Sequence, residues 1–261
     1  MRNPILKALV AALVSLFLSC SLFSDHHKSD EKGAVLGRGY TFEVKMGSQA
    51  DFQKAFAEHV QWRRDNGDTW GWECFVVVNG PDLGNYHVRS YPHSWADFDE
   101  YYNSEFGKKA SEHWYATVAP HLESIEADIA VDRQDLSKWT DGRDYEYFTV
   151  NTVRTKIGRQ WDYLNAIEQI GNVLKETESW DYDWSVSVQK AGGVGNNVWL
   201  VFPSEDWAGM EDPSPNAYEV VLEALGEEKT KEIFDQLNDS VAKSVSNHFR
   251  HLPDYSIKAA E

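Results

Sequence analysis

Residues 69–98 read TWGWECFVVVNGPDLGNYHVRSYPHSWADF, and residues 182–210 read YDWSVSVQKAGGVGNNVWLVFPSEDWAGM. Each stretch holds a Trp-bearing apolar run, a Gly/Asn turn, a second run closed by an aromatic and a proline, and then Trp-Ala. The closing pairs are Tyr91-Pro92 and Phe202-Pro203, and the Trp-Ala pairs begin at Trp95 and Trp207. Two apolar runs around a glycine-bearing turn are the signature of a β-hairpin. Its recurrence predicts two homologous units in one chain.

Outward from the first hairpin, residues 40–46 alternate apolar and polar as a half-buried strand does. Ser48 opens a helix striped by Phe52, Ala55, Phe56, His59 and Val60 and stopped at Gly67. Beyond the hairpin the pattern turns helical from Trp95, pauses at Gly107, and continues along Trp114, Val118, His121, Leu122 and Ile125 to a short strand at 127–131. Residues 134–143 form a polar connection. The second unit restarts with a strand at 145–152 and a helix at 161–175, passes through the second hairpin, and closes with a helix at 227–249. The division expected is 1–19 signal, 20–39 tether, 40–133 first unit, 144–256 second unit and 257–261 tail. Each unit reads β-α-β-β-α-β, an α+β ferredoxin-like arrangement with helices on one sheet face. The bare faces of the two sheets are expected to cover one another.

The chain has 261 residues, 42% of them hydrophobic, with 11 Trp, 12 Tyr and 12 Phe, ample for packed cores. A formal net charge of -17 disfavours nucleic acid and anionic lipid as partners. Arg2 and Lys7 precede an uninterrupted apolar run at 8–18, the pattern of a secretory signal. Ser19-Cys20 after Phe17-Leu18 resembles a bacterial lipobox, making Cys20 the lipid-bearing residue; cleavage near residues 21–24 is the alternative. Acylation of Cys20 leaves Cys74 alone, in an apolar strand that suits a buried inert thiol. The expected location is the bacterial periplasm or outer membrane, as a monomeric internal pseudo-dimer. His26-His27 lacks further ligands at metal spacing.

This order, repeated across about 40–256, resembles the dimeric α+β barrel superfamily, in particular its tandem single-chain members. The resemblance implies two sheets around a barrel, with clefts between sheet and helices that hold small molecules or haem. Monooxygenases, haem peroxidases and chlorite-dismutase-like proteins are among its members.

By the two-residue period, His87, Arg89 and Tyr91 share a strand face, and the residues matched to them in the second unit, near Val198, Leu200 and Phe202, are apolar. They are the candidate set for a first-unit cleft: His87 as acid, base or ligand, Arg89 for an anionic group and Tyr91 as donor. The alternative pairs His87 and Arg89 with acids such as Glu43 or Glu73 on a solvated edge. His59 and Glu73 are further candidates for ligand binding in the same cleft. Haem relatives use a histidine on a second-unit helix, which makes His248 the residue to test; without CxxCH, attachment would be noncovalent. No HExxH, paired CxxC, GxGxxG, GxxxxGK[ST] or GxSxG occurs, so no metal, nucleotide or serine-hydrolase site is expected. The many tryptophans are expected in the core, Trp95 and Trp207 above all because they recur. The functional expectation is an envelope protein that binds a small molecule or partner, with no catalysis assigned to it. The alternative is a superfamily enzyme, monooxygenase-like or haem-dependent, acting on a small organic substrate in the first-unit cleft; a structural interaction module is a third reading.

Overall fold

The computed structural model describes residues 35–140 and 142–258, and the chain from Val35 onward is one compact unit. The signal, Cys20 and His26-His27 lie outside the described residues. The first half runs β1 (Leu36–Val44), α1 (Gln49–Asp65), β2 (Glu73–Asn79), β3 (Tyr86–His93), α2 (Trp95–Asn103), α3 (Glu105–Thr117) and β4 (Leu122–Asp132). The second runs β5 (Tyr147–Thr155), α4 (Gln160–Glu176), β6 (Ser185–Gly192), β7 (Asn197–Ser204), α5 (Ala217–Leu225), α6 (Glu227–Ser240) and β8 (Val241–His251). The two sheets have the same internal order, β4-β1-β3-β2 and β8-β5-β7-β6. Their edges pair, β2 with β8 and β4 with β6, so eight antiparallel strands close into a barrel. Closure leaves no strand edge unpaired.

Each sheet's outer face is packed under its own helices. Phe42, Cys74, Tyr86 and Val88 meet Phe52, Phe56 and Val60 of α1, and Val153, Val186 and Val198 meet Leu164, Ile170 and Ile233 of α4 and α6. Burial of Phe52 and Phe56 contributes roughly 1.5–3 kcal/mol each. Capping boxes start the second helix of each half, Ser94 with Asp97 at α2 and Asn216 with Glu219 at α5. Ser48 takes the N-cap of α1 without a side-chain bond.

A second repeat, not anticipated above, precedes α1 and α4: KMGSQADF at 45–52 and KIGRQWDY at 156–163. Lys45 Nζ donates to the Pro120 carbonyl at 2.8 Å and Lys156 Nζ to that of Asp239 at 2.7 Å, so each lysine ties the end of its unit's helical layer. Gly47 and Gly158 take φ of 84° and 79° between them, a left-handed turn that favours glycine.

Several expected boundaries move. The tether ends earlier, because β1 begins at Leu36, and Ile257 of the supposed tail pairs with Trp72 and is buried. The connection holds a buried Leu136. The helix expected through Ile125 stops at Thr117, and β4 takes over at Leu122. The closing helix expected to 249 stops at Ser240, and residues 241–251 are β8, so His248 stands on a strand. Val241, Val245 and Phe249 are four apart, a spacing that fits one face of a helix and one face of a strand alike.

Candidate functional site

Tyr86 and Val88 pack under the helices, so His87 and Arg89, alternating with them, point into the barrel. The set expected in the sheet–helix cleft is therefore inside. His87 Nδ1 lies 3.1 Å from Thr41 Oγ1, and its ring meets Phe249 of β8 edge-on at 6.0 Å. Burial, with the Arg89 charge, lowers the His87 pKa to about 4, so the imidazole is neutral at pH 7. Arg89 pairs with Asp132, in place of the expected Glu43 or Glu73, and Asp132 also accepts from Ser187 Oγ at 2.6 Å across the β4/β6 seam. Gly37 leaves the room that the Arg89 guanidinium fills, and Gly39 does the same for the Asp128 carboxylate. The lumen beside His87 is thus occupied by a bonded polar network of the protein's own.

The other expected residues are dispersed. Tyr91 accepts from Gln134 Nε2 at 3.2 Å, half-exposed. Glu73 bonds His251 Nε2 at 2.5 Å. His59 is 1% exposed on α1, on the opposite side of the sheet from His87, with Nδ1 2.9 Å from His113 Nδ1 of α3. Burial, then the Arg63 charge and His113, lowers its pKa to about 3. The register also corrects the match between halves: Thr41 pairs with His87 where Thr152 pairs with Trp199. Trp199 and Val201, not Val198 and Leu200, answer His87 and Arg89. A bulge inserts one residue in β3 between Ser90 and His93, which is why aligning Tyr91-Pro92 with Phe202-Pro203 slips the earlier positions by one.

The outer face of the first unit carries a polar cluster built from residues that the sequence reading left aside. Arg38 and Tyr40 stand on β1 and Tyr102 on α2. The Arg38 guanidinium lies 4.8 Å from the Tyr40 ring centre, and the Tyr40 and Tyr102 hydroxyls are 2.7 Å apart. Burial, and the bond to Tyr40, raise the Tyr102 pKa, so that phenol stays protonated at neutral pH. Arg38 Nε is buried and has no partner among the described residues. Behind it, Trp70 is stacked between His93 at 3.9 Å and Tyr101 at 4.1 Å. Tyr101 accepts from Arg63, which is held by Asp68 at 2.5 Å. This rear wall is internally satisfied; at the front the Arg38 guanidinium bonds Tyr40, and its Nε is left without a partner. Arg38 escaped notice because it was assigned to the tether, although the alternation of residues 40–46 runs back to Leu36.

Trp95 and Trp207 are not core residues. They are 50% and 53% exposed; Trp95 is the first residue of α2, whereas Trp207 precedes the 3-10 turn Ala208–Met210, ahead of α5. Cys74 is buried as expected, and burial pushes its thiol up. Among the described residues the three α-helices of the second unit contain no histidine, so the helix-borne haem ligand implied by the resemblance has no counterpart there. Among the described residues no group of three or more His, Cys, Asp or Glu is placed to hold a metal ion, and no helix is long and apolar enough to cross a membrane.

No family model matches the chain, and no curated protein matches it in sequence. Solved structures do. An anthrone oxidase-like protein matches 88% of this chain and 95% of its own with a TM-score of 0.56 at 14% identity. A protein from Lactobacillus acidophilus named as a monooxygenase matches 87% and 98%, with a TM-score of 0.53 at 7% identity. A mutant chlorite dismutase from Candidatus Nitrospira defluvii matches 83% and 92%, with a TM-score of 0.50 at 11% identity. The fold is that of the dimeric α+β barrels. Its two ferredoxin-like units are fused in one chain. The expectation of a binding protein with no assigned catalysis is corrected by these neighbours, which carry the names of enzymes and favour the alternative stated above.

Proposed function

We propose that the chain is an oxidoreductase of the monooxygenase type, acting on a small organic substrate at the polar cluster on the outer face of the first unit. The observation that carries this reading is the buried, unpartnered Arg38 Nε beside the Tyr40–Tyr102 phenol pair. A buried donor without an acceptor is costly, and a substrate oxygen would satisfy it. Arg38 is permanently charged and suits an oxygen on which negative charge develops, with the protonated Tyr102 as a second donor. A methylene activated by a neighbouring carbonyl or ring loses a proton, and its charge rests on the oxygen that Arg38 holds. The proton leaves to solvent, dioxygen then adds to the carbon, and loss of water leaves a carbonyl: CH2 + O2 gives C=O + H2O, with all four electrons that reduce dioxygen drawn from the substrate. Names of structural neighbours support the class of reaction.

Oxygen uptake with anthrone as substrate is the test. Arg38→Met is expected to lower kcat/KM by about 100-fold, and Tyr102→Phe by about tenfold. His87→Ala is expected to retain turnover, since His87 faces the lumen. Uptake that survives Arg38→Met unchanged would overturn the assignment, and a Soret band in the purified protein would redirect it to haem chemistry. The same proposal keeps the envelope address: Cys20→Ala is expected to move the chain from the membrane to the soluble fraction, and unchanged fractionation would count against a lipid anchor.

A further inference from the structure

Three buried side-chain nitrogens have no partner among the described residues: Arg38 Nε, Trp180 Nε1 and His248 Nδ1. Two of them occupy the same rung of the duplicated sheet. Phe42 pairs with Ile125 and Val153 with Ser244; four residues along, Arg38 pairs with Ile129 and Thr149 with His248. The nitrogen sits on the first strand of the unit in one half and on its last strand in the other. Both lie on the outer face, Arg38 beside Tyr40 and His248 beside Trp207, whose ring is 6.2 Å away and is itself 5.0 Å from that of Tyr147.

From this correspondence we infer a second small-molecule site, on the outer face of the second unit, that takes a neutral planar aromatic bearing one hydrogen-bonding group. His248 Nδ1 meets that group. Trp207 and Phe202, both half-exposed and on the same face as Thr149, supply flat apolar walls. Where the first site places a permanent guanidinium charge, the second offers an imidazole nitrogen opposite an uncharged threonine, so an anionic group gains nothing comparable there. The exposed tryptophan argues in the same direction. Trp207 is half-exposed, so burial does not account for it, and its ring lies beside His248. The inference stands apart from the reaction proposed for the first site.

The test is calorimetric titration of the full chain with 1-naphthol at pH 7. Wild type is expected to bind it. His248→Leu and Trp207→Ala are each expected to weaken binding about tenfold. His248→Asn, whose amide reaches the place of Nδ1, is expected to restore most of the affinity, and Arg38→Met to leave it unchanged. Thermal melting confirms that each variant is folded, and Trp207→Ala, at an exposed position, serves if His248→Leu is not. Absence of binding, affinity indifferent to both His248→Leu and Trp207→Ala, or loss in Arg38→Met would overturn the second site. Oxygen uptake distinguishes the two readings, since it is expected to fall in Arg38→Met and to persist in Trp207→Ala.

Discussion

His59 and His87 are neutral for one reason, burial reinforced by a neighbouring arginine, though they lie on opposite sides of one sheet. Above pH 6.5 the imidazole is neutral in both folded and unfolded chains, and neither residue costs stability. As the pH falls below 6.5, the unfolded chain takes up protons that the folded chain refuses until about 4 at His87 and about 3 at His59. Stability is therefore lost through that window, at about 1.4 kcal/mol per pH unit for each residue. Urea midpoints at pH 7.5 and pH 5 are expected to differ accordingly, and His87→Gln to flatten the dependence; equal wild-type midpoints would contradict the assignment. The sequence offered His59, His87 and Arg89 as special, and each is buried or ion-paired. What it could not offer was the partner of Arg89, because Asp132 is brought to it by the pairing of β1 with β4, and its second bond to Ser187 by a seam between units.

Strands β2 and β4 each meet the other unit along a seam, and at each seam a glycine is required. A Cβ on Gly80 would run into Asn247, and one on Gly192 into the Ala127 carbonyl; both glycines also have positive φ, at 119° and 79°. Gly80→Ala and Gly192→Ala are each expected to cost about 2 kcal/mol or more. Gly84, with φ 88° and nothing within reach of its Cβ, supplies the control: Gly84→Ala is expected to cost about 1 kcal/mol. Denaturant titrations that fail to separate the seam glycines from Gly84 would show that the seams tolerate displacement. At this scale the hairpins and first helices were legible, because alternation and helical stripes there do not overlap. The closing strands were hidden, since apolar residues four apart along β8 satisfy both periods and no proline or glycine separates α6 from it.

For the whole molecule, closure depends on both halves being present. Residues 35–133 alone would expose the edges of β2 and β4 and the inner sheet face, and an open edge is an invitation to pair. That fragment is expected to dimerise or aggregate by light scattering, and to yield a soluble 1:1 complex when co-expressed with residues 134–261; a stable monomeric first half would mean that the seams are dispensable. Duplication was legible in the paired hairpins, whereas edge-to-edge closure was not, because both seams join strands far apart in the chain. Covalent fusion carries one last implication. In a barrel assembled from two identical subunits, every substitution lands twice, and both outer faces must tolerate it together. Here a change at Arg38 has no echo at Thr149, nor one at Ile129 an echo at His248, so one gene can tune its two flanks separately.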